Sequence, residues 1–261
     1  MGQAAMADDQ YRRGMELLRS SAKWALISII LGVIALAPFL YTLILSLTIA
    51  PRGITAPTIP SRPLEDLASL LAKVFIPLAI GLILVLAAAV TRLFAVYARF
   101  IPSATTLARW RESLSTPSKL IMYGYWGSLI AGVLSLAVIG LGLVKAASLF
   151  PPGLSESSHM YEFLGALMGG LALGIIAGIL SILAWVGSIM LFFELSSSTG
   201  IRDFQTAAII SIVNIVLGVA VFFPYIALVV ILVDVALEAL QWYFVMEGAG
   251  KALAPPTSQQ A

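Results

Sequence analysis

The sequence has no cysteine, a single histidine and few charged residues for its length. Charged side chains make up 11% of the 261 residues, against roughly 25% in soluble domains. The lack of cysteine excludes disulfides, thiolate nucleophiles and cysteine metal sites. A lone His159 completes no Ser-His-Asp set, and no phosphate-binding glycine loop or zinc-protease motif is present. We therefore predict no catalytic residue, no metal, no cofactor and no enzymatic activity.

Apolar residues dominate instead, at 60% of the chain with a mean hydropathy of +1.01. They fall into five long blocks separated by polar stretches, which is typical of proteins that cross a membrane several times. The net charge of +2 is too small to favour nucleic acid as a partner. We predict an all-α bundle of transmembrane helices in the cell membrane, surrounded by the lipid bilayer.

The number of spans depends on the last block, Ala207–Val245. A helix of about 20 residues crosses the bilayer core, so this block is long enough for nearly two crossings. It contains "FFPY", where Pro224 lacks a backbone donor and disfavours helix in the preceding residue. A tight turn there gives two spans, and the alternative is one kinked span followed by an interfacial helix. The preferred prediction has six spans, near 24–47, 70–97, 121–146, 163–193, 204–222 and 225–246.

Basic residues set the predicted orientation. Six spans with a cytoplasmic N-terminus place most of the 15 Lys and Arg residues inside, as the positive-inside bias requires. Both termini are then cytoplasmic. We expect an amphipathic segment over 1–23, a transmembrane domain over 24–246 and a flexible tail over 247–261.

The inner loop "TTLARWRESL" lies between two prolines and has three apolar side chains on one helical face, Leu107, Trp110 and Leu114. Its basic residues, Arg109 and Arg111, lie elsewhere around the helix. This pattern predicts a short helix on an anionic inner leaflet, with an anionic lipid as a possible ligand of the two arginines. The alternative is an ordinary basic interfacial loop.

Small residues recur at helical spacing in the third and fourth predicted spans. The fourth span has Gly170, Gly174 and Gly178, and the third has Gly124, Ser128 and Gly132. Helix backbones approach closely where side chains are small. We therefore predict that these two spans pack against each other through these residues, the alternative being a groove for lipid or ligand.

The motif "MELLRSSAKW" before the first span, the six-span hydropathy and "PYIALVVIL" near the end resemble archaeal multi-pass membrane proteins of a family of unknown function. The likeness covers most of the chain and rests on the hydrophobic pattern and these few residues. It implies an archaeal cytoplasmic membrane. It implies no activity and no functional residue.

Two carboxylates, Asp234 and Glu238, interrupt the apolar stretch "ILVDVALEALQWYF". An acid at a helix centre costs roughly 2.5 to 3.5 kcal/mol on insertion. Helical spacing places both acids and Gln241 on one face, which we expect to point into the bundle. Asn214 in the fifth span is the expected neighbour. These four residues form the candidate intramembrane polar site.

Three roles for the acids remain open. Protonated or hydrogen-bonded acids would fix helix register, within the bundle or against another subunit. Titrating acids would serve a proton- or cation-coupled pathway, and Glu238 alone would otherwise extend toward the inner surface. We expect a non-enzymatic structural or accessory membrane component, with a partner membrane protein or a second copy of the chain. The alternative is a small proton- or cation-coupled transporter or channel.

Overall fold

Helices make up nearly all of the described chain. The computed structural model describes residues 2–49, 63–147, 157–220 and 227–254. Its α-helices are α1 (Gly2–Ile49), α2 (Pro63–Leu93), α3 (Ile101–Trp110), α4 (Ser115–Ala147), α5 (Ser157–Thr199), α6 (Arg202–Ala220) and α7 (Ala227–Leu253). A π-helical segment, Phe94–Phe100, joins α2 to α3, and a 3-10 turn, Glu112–Leu114, precedes α4. No strand occurs within the described ranges, which confirms the predicted all-α class.

Five helical stretches are long and apolar enough to cross a membrane. They are Ala5–Leu45, Ala72–Trp110, Glu112–Lys145, Phe163–Thr199 and Val229–Leu253. This architecture is that of a membrane-embedded protein. The count of six spans remains a prediction.

Helices α6 and α7 lie side by side and run in opposite directions. Lys251, near the end of α7, donates through Nζ to Oδ2 of Asp203 at the start of α6, at 2.7 Å. This ion pair joins the start of α6 to the end of α7, as the antiparallel arrangement requires. The turn predicted at Pro224 lies outside the described residues.

The buried core is concentrated at one end of the bundle, which we call the packed end. It is formed by the first half of α1, the π-helical segment with α3, the starts of α4 and α6, and the ends of α5 and α7. At its centre the Phe100 ring lies 6.2 Å from the rings of Tyr125 and Phe192 and 5.6 Å from that of Trp242. Elsewhere along the helices many apolar side chains are exposed, as on a surface that faces lipid.

The N-terminal segment predicted over 1–23 is not a separate element. α1 runs without interruption from Gly2 to Ile49, and Met15 and Leu18 are fully buried in the core. The apolar face predicted from the sequence is present, but it packs against protein. The segment is therefore part of the bundle.

The flexible tail predicted over 247–261 is wrong for its first residues, because α7 continues to Leu253. Gly248 and Ala249 are buried. A Cβ on Gly248 would lie 3.1 Å from the Phe204 ring, so the absence of a side chain allows α7 to approach α6 this closely. Residues 255–261 lie outside the described ranges.

The inner loop also packs into the core, which corrects the prediction that its apolar face lies on lipid. Leu107 and Leu114 are fully buried, and a Cβ on Gly14 of α1 would lie 2.7 Å from the Leu107 side chain. The helix that contains Leu107 continues directly from the π-helical segment. It ends at Trp110, and the backbone of the following Arg111 is extended with φ −142° and ψ 126°.

The π-helical segment adjusts the end of α2 to the core. The backbone N–H of Ile101 donates to the Val96 carbonyl, five residues earlier, so each turn here is wider than in an α-helix. The Ala95 carbonyl accepts a hydrogen bond from Ser21 Oγ of α1 at 2.9 Å, in a buried position. This contact ties α1 to the segment that follows Arg92.

Candidate functional site

A cavity of about 100 Å³ lies between helices beside the packed end, and we call it the polar cavity. Asp234, Glu238 and Gln241 line it from α7, and Asn214 lines it from α6. The structure thus brings together all four residues of the predicted polar site. The rest of the wall includes Arg92, Tyr125, Trp185, Ser188, Ser211 and Trp242.

An ion pair across two helix hairpins forms part of this wall. Arg92 of α2 donates through Nη2 to Oε1 of Glu238 on α7. The side chains of the two residues are 34% and 31% exposed, so the pair is screened less than a fully exposed surface pair would be. The Arg92 guanidinium also lies 5.3 Å from the centre of the Trp242 ring, a cation–π distance. Glu238 is therefore held by Arg92 and does not extend alone toward the surface.

Asp234 differs from Glu238 in its surroundings. It lies one helical turn away on the same face of α7, and it forms no hydrogen bond or ion pair with another described residue. Counted formally, the cavity wall carries two carboxylates and one guanidinium. Asp234 is the carboxylate in excess.

Three buried polar atoms in residues of this wall have no hydrogen-bond partner among the described residues. They are Asn214 Oδ1, Arg92 Nη1 and Trp242 Nε1. Buried polar atoms are nearly always satisfied by protein, water or a ligand. A water needs roughly 10–15 Å³ of such space, so the cavity has room for several. The Trp242 donor and the Asn214 acceptor suit water or a small polar solute, whereas Arg92 also borders a second space.

The sequence interpretation missed Arg92 as a member of this site. As a basic residue, Arg92 counts only toward the positive-inside bias, and Asn214 is the neighbour that the sequence predicts for the acids. One signal was present: Arg92 lies in an apolar stretch that continues from Val90 to Tyr97. An arginine there needs a partner, as the two acids do.

The predicted small-residue contact between α4 and α5 is present at some of the named positions. Ser135 Oγ donates to the Gly170 carbonyl at 2.6 Å, and a Cβ on Gly124 would lie 2.5 Å from the Ala184 backbone nitrogen. A Cβ on Gly174 would lie at ordinary contact distance, 3.6 Å, from Ser135 Oγ. Ser128 is half-buried and donates to the Tyr125 carbonyl of its own helix.

The prediction is wrong at Gly132 and Gly178, because no atom of another described helix lies within 4 Å of the Cβ that either residue would carry. A spacing of four residues turns about 40° further round an α-helix at each step. Gly178 is thus about 80° away from Gly170, and Gly132 is displaced equally from Gly124. The face of each helix that contacts the other helix therefore turns less around the helix axis than the line of glycines does.

Arg109 and Arg111, the two arginines predicted to bind lipid, are both exposed. Arg109 borders a surface groove together with Arg13, Thr105 and Thr106. Arg111 is not part of that groove wall. An anionic lipid at these residues stays a prediction.

No three His, Asp or Glu side chains converge on a possible metal position in the described part of the chain. The predictions of no metal, no cofactor and no catalysis therefore rest on the sequence. The chain matches no family model, no curated protein and no solved structure. Similarity thus supplies no function, and the resemblance to archaeal membrane proteins stays a prediction.

Proposed function

We propose that the chain is a non-enzymatic component of the cell membrane, in which Arg92 and Glu238 lock two helix hairpins in register. The ion pair between them carries the proposal. α2 belongs with α1, and α7 belongs with α6. The pair therefore joins one hairpin to the other at a fixed position along the helices. Fixing the register of helices is the best supported structural use of buried polar groups.

The proposed location places the packed end at the cytoplasmic side, with both termini inside and six spans. Most described basic residues belong to segments of the packed end, whereas Lys73 and Lys145 lie toward the other ends of α2 and α4. The positive-inside bias supports this orientation. An archaeal membrane and an anionic lipid at Arg109 and Arg111 belong to the same proposal.

An accessory role predicts a partner of fixed stoichiometry. The test is extraction of the untagged chain from its native membrane in mild detergent, followed by native mass measurement. We expect a second copy or another membrane protein in a constant ratio. A monomer that leaves the membrane alone under every mild condition would contradict the accessory role.

A proton- or cation-coupled transporter is the second candidate, and the carboxylate in excess favours it. Asp234 faces a polar cavity whose orphaned atoms suit water, and intramembrane acids beside water mark many proton pathways. The test uses liposomes that contain a pH-sensitive dye. A transporter would dissipate an imposed pH gradient, and Asp234→Asn would abolish the flux while the fold survives.

The matched control for this test is Gly132→Ala, since that position has open space and lies outside the cavity wall. If the locking role is the whole function, neither the natural chain nor Asp234→Asn moves protons, and both fold. A flux that persists unchanged in the Asp234→Asn, Glu238→Gln double variant would eliminate these acids as the coupling groups.

A further inference from the structure

A second, larger space of about 450 Å³ meets the ion pair from another side. It lies between α1, α2 and α7, and we call it the apolar groove. Its wall is apolar except for Ser28, Arg92 and Glu238. The Ser28 hydroxyl already donates to the Ala25 carbonyl of its own helix. The Arg92–Glu238 ion pair is therefore the polar group of the groove wall that a ligand would meet.

The groove runs in one direction from the ion pair. Its lining extends along α1 from Ser28 to Leu36 and along α2 from Arg92 back to Val85. Eight residues of helix span about 12 Å, close to the roughly 15 Å thickness of one leaflet's hydrocarbon. A Cβ on Gly32 would meet nothing within 4 Å, so the space is open in the middle of the α1 wall.

Beyond the groove α1 and α2 close together. A Cβ on Gly81 of α2 would lie 3.0 Å from the Phe39 ring of α1. At the other end the Trp24 and Phe94 rings pack edge to face, 5.2 Å apart. Aromatic side chains of this kind are typical of the boundary between hydrocarbon and headgroups. A boundary at Trp24 would put the ion pair close to the depth at which a lipid headgroup meets its chain.

We propose that the apolar groove binds one hydrocarbon chain of a membrane phospholipid, whose phosphate accepts a hydrogen bond from Arg92. Glu238 occupies Nη2 of the guanidinium, and Nη1 is buried without a partner among the described residues. A guanidinium donates to two acceptors side by side, and phosphate oxygens suit this geometry. The chain shields the apolar wall, and the phosphate satisfies the remaining donor.

The test is native mass spectrometry of the full chain in detergent, titrated with dioleoylphosphatidylglycerol. We expect one retained lipid per chain. Gly32→Leu places a side chain in the groove and should lower the retained fraction at least tenfold. Gly132→Leu, which also projects into open space but away from the groove, is the matched control and should bind as the natural chain does.

Two further arms keep the proposal open to refutation. Ala89→Leu fills the groove from α2 and should reproduce the loss if Gly32→Leu fails to fold. Dioleoylglycerol has the same chains without phosphate and should be retained at least tenfold less. Equal lipid retention in both filling variants, equal retention of dioleoylglycerol, or a second protein chain in place of lipid would each overturn the proposal.

Discussion

At the scale of single residues, Arg92 gives the two acids of α7 different surroundings. Its guanidinium neutralises Glu238 and stacks over Trp242, which leaves Asp234 without an ionic partner among the described residues. Two acids one turn apart on the same helix face therefore have different surroundings. The positive charge that makes this difference is that of Arg92, which lies 146 positions before Glu238 in the chain.

A double-mutant cycle tests the ion pair. Arg92→Gln alone leaves a carboxylate without its ionic partner, and we expect a loss of about 1–3 kcal/mol in the free energy of unfolding, since the pair is only partly buried. Arg92→Gln with Glu238→Gln removes both charges and should recover most of that loss. Unfolding by a graded fraction of denaturing detergent measures all four forms. Additive losses in the double variant would show that the two side chains are not coupled.

The candidate site shows which residues the sequence reveals. Asp234 and Glu238 are visible because charge is rare in an apolar run, and Asn214 is visible because its helix directly precedes theirs in the sequence. Arg92 is visible as an unusual residue, but its pairing is not, since hydropathy carries no information about which hairpins are neighbours. Long-range packing sets that contact.

At the scale of elements, the contact between α4 and α5 follows a repeat of seven residues. Gly170 and Ala184 are 14 positions apart on α5, and Ser135 and Gly142 are 7 apart on α4, and all four are contact positions. A mean spacing of 3.5 residues keeps one face toward the partner when two helices wind around each other left-handedly. The line of glycines at every fourth residue leaves that face.

This geometry predicts opposite effects of one substitution at two glycines of α4. Gly124→Ala places a methyl group against the Ala184 backbone, which cannot rotate away, and should lower the free energy of unfolding by roughly 1–3 kcal/mol. Gly132→Ala meets open space and should be neutral or stabilise by up to about 1 kcal/mol through helix propensity. Thermal unfolding in detergent measures both. Equal destabilisation would argue against the seven-residue contact face.

The element scale also explains the correction at the inner loop. The pattern of apolar and basic residues over 105–114 predicts an amphipathic helix, and α3 covers this segment as far as Trp110. Whether its apolar face meets lipid or protein depends on the space beside it, which Gly14 of α1 leaves open for Leu107. A sequence pattern identifies the face but not its partner.

At the scale of the whole molecule, the sequence predicts the class and most helices but underestimates their lengths. α1 extends over 48 residues and α5 over 43, well beyond the roughly 20 needed for one crossing. Hydropathy ends where polar residues begin, whereas at the packed end α1 and α5 continue because the core there includes residues such as Met15 and Leu195. Packing therefore lengthens these two helices at that end.

The orientation proposed for the whole molecule is testable by labelling. A cysteine introduced at Ser258 has no competing thiol, because the natural sequence contains none. With six spans and a cytoplasmic N-terminus, only a membrane-permeant maleimide should block it in intact cells. Rapid blocking by an impermeant maleimide would place the C-terminus outside and remove one crossing.

Because the buried core is concentrated at the packed end, residues there should be substituted at a much lower rate during evolution than residues on the exposed apolar surface. Core positions such as Phe100 and Leu107 have fixed neighbours on every side, so a change of even one methylene disturbs them. Exposed positions such as Leu136 and Ile175 face fluid chains, which adapt to whatever apolar shape they meet. Substitutions should therefore become more frequent along each helix with distance from the packed end. Side-chain volume should be conserved at the packed end, and only hydrophobicity should be conserved at the other end.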